Sequence, residues 1–510
     1  MKVNHVRVAT TDHVKFDDVK RWYEQNLQPD VINFDDPKPY EVYEKARWAG
    51  IFQLTSPGAQ RLFIKAKPEN IIDIATLTSI YRPGPLAANV DKLYLEAKNE
   101  GKQLEWGDKR INEILKKTYT CIIFQEQVME LAEKVAGFPK DKCDEVRRAI
   151  MKRSISGGEA AKKAAQETRD GFVKGCVNNG YTETVANNLY DKILYFAGYG
   201  FNKSHAVAYA IDSYWCAWLM TYFEEQWLTA YIESMLGNPD KKAKAFGEIK
   251  RLGYKIVPID INEADLSWTV LPGKRFMPSL LSCKGLGKSG ADEIIESRPY
   301  KSVEDMLWNP DGSWRPSKFN KKGLDALIKV GAFASLDCVG EGKVFNSYHH
   351  MHEVLIENAD MLKKSPKRDP FEGKKAFYEL ARALGPEVEE WSRKELAELS
   401  LEIFGSIDVL ALLDPAVLAK LDERGVRSID EWEGKDIYWF CIQAANPKLT
   451  KNRKKYLQFE GVGPAGKVYK ISAWGWDGER TFDPYTVVIA EIDRNDFGAS
   501  TVMWRLKEIS

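Results

Sequence analysis

The sequence has no charge bias: 74 Lys and Arg stand against 74 Asp and Glu over 510 residues. A uniformly basic nucleic-acid-coating protein is thereby excluded, and any such partner must be held by local basic patches. Cysteine is sparse. Cys121, Cys143, Cys176, Cys216, Cys283, Cys338 and Cys441 stand singly, without a CxxC pair. That spacing offers neither a disulfide framework nor a zinc ribbon and suits a reducing compartment. No apolar run approaches about 18 residues, and the opening MKVNHVRVAT has no signal-peptide core. A cytosolic chain with no membrane partner is expected. Repeat arrays and low-complexity tracts are missing. So is any strand-like stretch with an Asp-x-Asp pair, the usual home of carboxylates for paired Mg²⁺ ions. Asp17, in the apolar-flanked Val14-Lys15-Phe16-Asp17, is the one candidate.

What is present reads as about three or four domains. Hydrophobic content of 44% with 29% charged residues is that of an ordinary soluble protein. Fifteen tryptophans and 22 tyrosines suit packed helices and base stacking equally. Residues 1–50 are mixed, with strands expected at Val3–Ala9 and Val14–Asp17. From Tyr40 to Leu236 the pattern is mostly helical, broken by a short strand at Ile51–Leu54 and a rigid loop at Tyr81–Leu86, where two prolines oppose helix. Phe124, Val128, Leu131 and Val135 recur on one helical face. A basic helix follows at 142–153, a Ser/Gly loop at 154–159, and after His205 a long apolar helix to about Met235. Residues 237–275 suggest a few strands, and helices are expected at 289–297, 323–330, 345–365 and 376–435. From Asp436 the period switches to two, and five or six short strands point to a small β-barrel.

Several segments suit anions. Apolar helical residues Val185, Leu189, Ile193 and Phe196 lead into Gly198 and Gly200, then Asn202-Lys203-Ser204-His205 opens a second helix. Glycines let a helix stop without strain, and the next helix start offers backbone amides and a cation. Good loop capping explains the same residues. Arg82 sits in a proline-fixed loop that would hold a guanidinium for bidentate recognition, although an incidental surface turn also accounts for it. Arg147, Arg148, Lys152 and Arg153 gather at the end of the basic helix with acids only at its start. Gln125-Glu126-Gln127 opens an apolar helix, where capping is the simple explanation. Gly285-Leu286-Gly287-Lys288-Ser289-Gly290 matches GxGxxG and nearly a Walker loop, but no α/β unit surrounds it. A helix-hairpin-helix turn gripping nucleic-acid phosphates fits better. His349, His350 and His352 have metal-ligand spacing without a carboxylate or cysteine cluster in the sequence nearby, and read as structural.

Gly50-Ile51-Phe52-Gln53-Leu54-Thr55-Ser56, Tyr81–Leu86, Thr118-Tyr119 with Ile122–Met129, Arg147-Arg148-Ala149 and Phe196–Ala210 occur in one order. That series resembles the bacterial C-family replicative polymerases (DNA polymerase III alpha subunit), from late palm through fingers. Leu280–Leu336 is similar to their tandem helix-hairpin-helix region, and 436–508 to their OB fold. The implied architecture is multi-domain and mainly α, with a C-terminal OB barrel: a partial palm segment at 1–50, fingers at 51–236, tandem helix-hairpin-helix at 237–340, a helical linker region at 341–435 and the OB fold at 436–510.

The resemblance implies that Arg82, Arg147, Arg148, Lys152, Asn202, Lys203, Ser204 and His205 line an incoming-dNTP pocket. Lys284, Gly285, Gly287 and Lys288 would hold duplex DNA, and Asp17 would be the catalytic metal ligand. The family's PHP domain and the palm strand with its first two aspartates would precede residue 1, Met151 replaces a family glycine, and the spacer from Asp17 to Phe52 is short. The expectation is therefore the C-terminal half of a split bacterial or phage polymerase, sharing Mg²⁺ with a separate PHP/palm chain on primer-template DNA in the cytoplasm. A sliding clamp is a further implied partner, although no Gln-led clamp motif lies between hairpin region and barrel. The alternative is a non-catalytic DNA-binding accessory protein that keeps the fingers fold.

Overall fold

The computed structural model describes residues 16–509 except 107, 154–158, 198–199, 363–368, 370, 405–408, 411, 414, 465–466 and 496–497. Residues 14–227 and 228–510 form two compact units. The expected strand Val3–Ala9 and the loop at 154–158 lie outside the described residues.

The unit 14–227 is built around the helix Lys203–Tyr222, whose buried seam is Ala206, Ala210, Ser213, Tyr214, Ala217 and Met220. Small side chains dominate that seam and let a neighbour come close. The neighbour is the helix Ile71–Ile80, which is apolar almost all round and correspondingly buried. The helix expected to run on to Met235 breaks at Phe223 (φ −138°, ψ 48°), where the ring turns onto Trp22 and Trp218. Glu224 and Glu225 then open the helix Glu224–Met235, where acidic side chains suit the positive end.

Three local expectations are corrected in this unit. Phe16–Asn26 is a helix, so Asp17 opens a helix and does not sit on a strand. Trp22 and Tyr23 pack edge-on against Phe223 and Trp215, a reward that only helical spacing delivers. Ile51–Leu54 is a turn, with Gln53 at φ 65°. Tyr81–Leu86 is not all loop: Pro83–Ala87 is a short helix capped by Arg82 in extended conformation. Proline there occupies the first helical position, which needs no N–H.

In the unit 228–510 the strands expected over 237–275 start only after the helix Pro239–Arg251, as a small sheet of β1 (Lys255–Ile256), β2 (Thr269–Leu271) and β3 (Arg275–Met277) in the order β1-β3-β2. The helices Lys288–Ser297 and Lys321–Lys329 follow. The single helix expected at 345–365 is instead Tyr348–His352, a π-turn at Glu353–Glu357, and Ala359–Leu362. Leu280, Ile294, Leu327, Phe333, Phe345 and Phe377 share one core. Helices Glu372–Leu384, Arg393–Phe404 and Pro415–Glu423 lead to the barrel.

Seven strands form the terminal sheet: β4 (Arg427–Ser428), β5 (Asp436–Leu449), β6 (Lys455–Val462), β7 (Val468–Trp474), β8 (Thr486–Asn495), β9 (Gly498–Val502) and β10 (Leu506–Glu508). Five of them close in the cycle β5-β6-β7-β9-β8-β5, with β7 and β9 parallel and the other four pairings antiparallel. This is a five-stranded barrel of the OB type. Closure relies on the length of β5: Asp436–Ile442 pairs with β8, and Cys441–Leu449 pairs with β6 across an irregularity between Ile442 and Ala444. Tyr438, Phe440 and Ile442 point into the barrel with Leu457, Phe459, Ile471 and Val488. Trp439 and Cys441 point the other way, onto Val409 and Leu412. The fold class is therefore the expected one, mainly α with a small C-terminal barrel.

Candidate functional site

In the unit 14–227 the site grows from one short pairing. Phe124 and Phe201 form a parallel bridge, with Phe201 N donating to Ile123 O and Gln125 N to Phe201 O, both at 2.9 Å. This ties the segment before the helix Lys203–Tyr222 to the start of the helix Gln125–Lys134. Around it the chain places its cations. The Arg82 guanidinium lies 3.8 Å from the centre of the Phe201 ring, and Lys203 Nζ lies 6.0 Å from that of Phe124. Both are within cation–π range. Arg147 Nη1 donates to Gln125 Oε1 at 3.1 Å, so the basic helix Cys143–Arg153 is attached to the same point.

Aromatic rings continue the site along one helix face. His205 is edge-on to Phe201 at 5.5 Å and to Tyr209 at 4.3 Å, and Tyr209 reaches Phe52 at 5.3 Å. The result is a continuous run of π-faces with cations at one end, chemistry suited to a ligand with phosphates and a flat ring. The i, i+4 spacing of His205 and Tyr209 was the sequence signal for it, and sequence reasoning used only the histidine.

The amide-rich helix start does not stand open. Lys203 N donates to Glu126 Oε2 at 2.9 Å and Asn202 Nδ2 to Glu126 Oε1 at 3.1 Å. Asn202 Oδ1 accepts from His205 N at 2.9 Å and from Ser204 Oγ at 2.7 Å. Asn202 thus serves as the N-cap, with Ser204 donating to its side chain. Arg147 and Arg148 do not form an unpaired cationic end either, since both reach Asp144 at 2.7 and 2.5 Å. The Arg147 hydrogen bond, followed by the charges of both arginines, holds the Asp144 carboxyl below its usual range. Lys152 lies in the last turn of that helix, with its side chain outside the described residues. Gly198 and Tyr199 also lie outside them.

Asp17 stands apart from these groups along the chain's packing. Its helix docks on Trp215 and Phe223, toward the far end of the helix that Lys203 begins. Its side chain lies outside the described residues. Among the described residues no group of three or more His, Cys, Asp or Glu is arranged to hold a metal.

In the unit 228–510, Cys283–Gly287 makes the expected hairpin turn. Gly285 has φ +106°, and a Cβ there would meet the Lys322 side chain and carbonyl at 3.2 Å, so the turn requires glycine. Gly287 caps the helix Lys288–Ser297 without a side-chain hydrogen bond. Lys284 is exposed, and Lys288 lies 3.7 Å from Asp292. Glu293 accepts from the backbone N–H of Ser317, Lys318 and Phe319, fixing the second hairpin beside the first. Those hydrogen bonds outweigh burial and keep its carboxyl below the usual range.

The histidine helix has carboxylates that sequence proximity did not reveal: His352 Nε2 lies 2.9 Å from Asp325, which also pairs with Lys329 at 3.0 Å. His349 stacks on Trp391 at 5.1 Å. These contacts are internal packing between helices.

The barrel adds a face of its own. Tyr456 and Trp474 stack across β6 and β7 at 4.6 Å, and Trp504 is 73% exposed. The adjoining β5–β6 turn carries Lys448, Lys451, Arg453, Lys454 and Lys455, all exposed.

Comparison with known proteins agrees with this layout. The family described as bacterial DNA polymerase III alpha subunit finger domain matches residues 11–180, and a helix-hairpin-helix motif family matches 253–340. The DNA polymerase III subunit alpha of Aquifex aeolicus is 34% identical over 311 residues, 59% of this chain and 26% of that protein. Its counterpart in Bacillus subtilis is 34% identical over 343 residues, 66% of this chain and 29% of that protein. That of Saccharopolyspora erythraea is 29% identical over 430 residues, 81% and 34% of the two chains. The chain thus spans between 26 and 34% of the length of these relatives. With the finger domain, the hairpin region and a mainly α fold ending in a small barrel, the chain belongs, over the span it shares with them, to the bacterial C-family of DNA polymerase III alpha subunits.

Proposed function

We propose that this chain binds an incoming dNTP and primer-template DNA for template-directed DNA synthesis by two-metal nucleotidyl transfer. The observation that carries the reading is the convergence of Arg82, Arg147 and Lys203 on the Phe124–Phe201 bridge, inside the span that matches the finger domain. These cations hold the triphosphate and offset the charge that builds on the departing pyrophosphate, the main protein contribution to phosphoryl transfer. His205 and Tyr209 offer flat surface beside them. Lys284, Lys288 and the hairpin backbone hold duplex phosphates without reading sequence. The aromatic and basic face of the barrel suits single-stranded template, which stacks on aromatic side chains in an electropositive groove.

Paired Mg²⁺ ions would supply Lewis-acid charge for the transfer, while Arg82, Arg147 and Lys203 would hold the triphosphate. The carboxylates that hold the ions come, in this reading, from a separate palm-bearing polypeptide. The test is single-nucleotide incorporation on a primed template, with the chain alone and with a palm-bearing polypeptide added. Incorporation only in the mixture, with dNTP KM raised about tenfold or more by Lys203→Ala, supports the reading. Unchanged kinetics in that variant refute the pocket. DNA binding without incorporation in either arm favours the accessory-protein alternative.

A further inference from the structure

We propose that Gln125 and Glu126 are positioning residues for the triphosphate, a step that rests on the nucleotide pocket proposed above. The trio Gln125-Glu126-Gln127 looks like helix capping, but only Gln127 does that work. Its Oε1 accepts from Ile123 N and Phe124 N at 2.9 Å, and its Nε2 donates to Thr118 Oγ1 at 2.7 Å. The helix start is served by that one buried side chain, which leaves the other two for a different purpose.

Both are half-buried and reach segments distant in sequence. Gln125 Nε2 donates to Gly200 O at 3.0 Å while its Oε1 takes Arg147 Nη1. Glu126 takes Asn202 Nδ2 and Lys203 N with its two oxygens. Consecutive residues on a helix diverge by about 100°, so adjacent side chains can serve two different helices at once. Gln125 fixes the cation of Cys143–Arg153, and Glu126 fixes the first turn of Lys203–Tyr222.

Asp144 alone would leave Arg147 free to follow its own helix. Gln125 grips the guanidinium from a second side and ties it to the backbone of the loop before Lys203. The two cation-bearing helices are thereby held in one register through four side-chain hydrogen bonds from two neighbouring residues. A polyanion that spans Arg147 and Lys203 meets them already spaced, which removes an ordering cost from binding.

The test is calorimetric titration of inorganic tripolyphosphate onto the full chain in two double-mutant cycles. Gln125→Met keeps volume and removes both hydrogen bonds; it is paired with Arg147→Met. Glu126→Asp keeps the charge but withdraws it by a methylene from Lys203 N; it is paired with Lys203→Met. Each single substitution is expected to weaken binding about five- to tenfold, and each double to bind no worse than its cation variant alone. The Glu126→Asp cycle decides the matter if Gln125→Met does not fold.

Additive losses, or a Glu126→Asp chain that binds as tightly as the parent or tighter, overturn the positioning role. If Arg147→Met and Lys203→Met both leave affinity unchanged, the pocket itself is wrong and this inference falls with it.

Discussion

Asp73 and Lys98 form the most deeply placed ion pair described in the unit 14–227, with side chains 1% and 6% exposed and 3.2 Å apart. Asp73 also accepts from Glu69 N and Tyr94 OH, both at 3.1 Å. Lys98 Nζ lies 5.3 Å from the centre of the Tyr119 ring. The pair locks the helix Val90–Asn99 to Ile71–Ile80, the helix that leads directly into Arg82. Replacing Asp73 by Asn leaves the buried ammonium only the exposed Glu69, 3.7 Å away, as a carboxylate partner, and loss of one partner of a buried pair costs about 4 kcal/mol. For a unit of this size that corresponds to about 10 °C in Tm. Lys98→Met strands the carboxylate but leaves its two other hydrogen bonds, so a somewhat smaller loss is expected. The double substitution removes both charges and should be milder than the sum by about 2 kcal/mol or more. Desolvation pulls the Lys98 pKa down, but Asp73, helped by Tyr119 and Glu69, raises it above its ordinary 10.5. The pair's contribution is therefore complete below that value and fades as pH rises through the higher folded-state pKa. Scanning calorimetry of the four chains at neutral and alkaline pH measures all of this. Single losses below about 1 kcal/mol, or strict additivity, refute the lock.

Gly175→Ala places a methyl 1.9 Å from the Ala136 carbonyl oxygen. Backbone meets backbone there, so the clash, about 3 kcal/mol, should exceed the gain of about 1 kcal/mol in helix propensity; a Tm that rises contradicts the close approach. His350 is buried, its Nδ1 accepts from Asn346 N at 3.1 Å, and burial lowers its pKa below the ordinary 6.5. The unfolded chain then binds the extra proton, so the unit 228–510 should lose stability as pH falls below about 6.5. His350→Phe should flatten that dependence in melts between pH 7.5 and 5. On duplex DNA, Lys284→Ala and Lys288→Ala should each reduce the slope of log K against log salt by about 1 without altering sequence preference; unchanged slopes would remove the first hairpin from the interface.

Much of this arrangement was legible because local chemistry and fold agree. The barrel strands alternate in direction, with Phe440, Ile442 and Val488 facing the barrel interior and Trp439, Cys441 and Val487 packing into a second apolar cluster outside it. The hairpin turn shows itself through a glycine no other residue can replace without strain. Arg82, Arg147 and Lys203 stand out in the sequence because the motifs that carry them occur in one order. What escaped depended on contacts distant in sequence. Whether Phe16–Asn26 is helix or strand turns on Trp215 and Phe223, about 200 residues away. That Glu126 accepts from the Asn202 amide and from Lys203 N, across 76 and 77 residues, shows only in the fold. Asp325 cannot be matched to His352 from the sequence, because the helices that carry them meet only in the fold.

The long strand β5 has a second consequence. Its first half pairs with β8 throughout and with β4 at Tyr438 and Trp439, but among the described pairings residues after Ile442 pair with β6 alone. An open edge of that kind invites another chain to add a strand and begin a stack. Here Pro447 removes one of the N–H groups such a visitor would need, and the cations from Lys448 to Lys455 repel a second copy presenting the same edge. The lysines and arginine that would attract a nucleic-acid strand therefore also keep the protein from associating with itself. Neutralising this turn would trade nucleic-acid affinity for a tendency to precipitate.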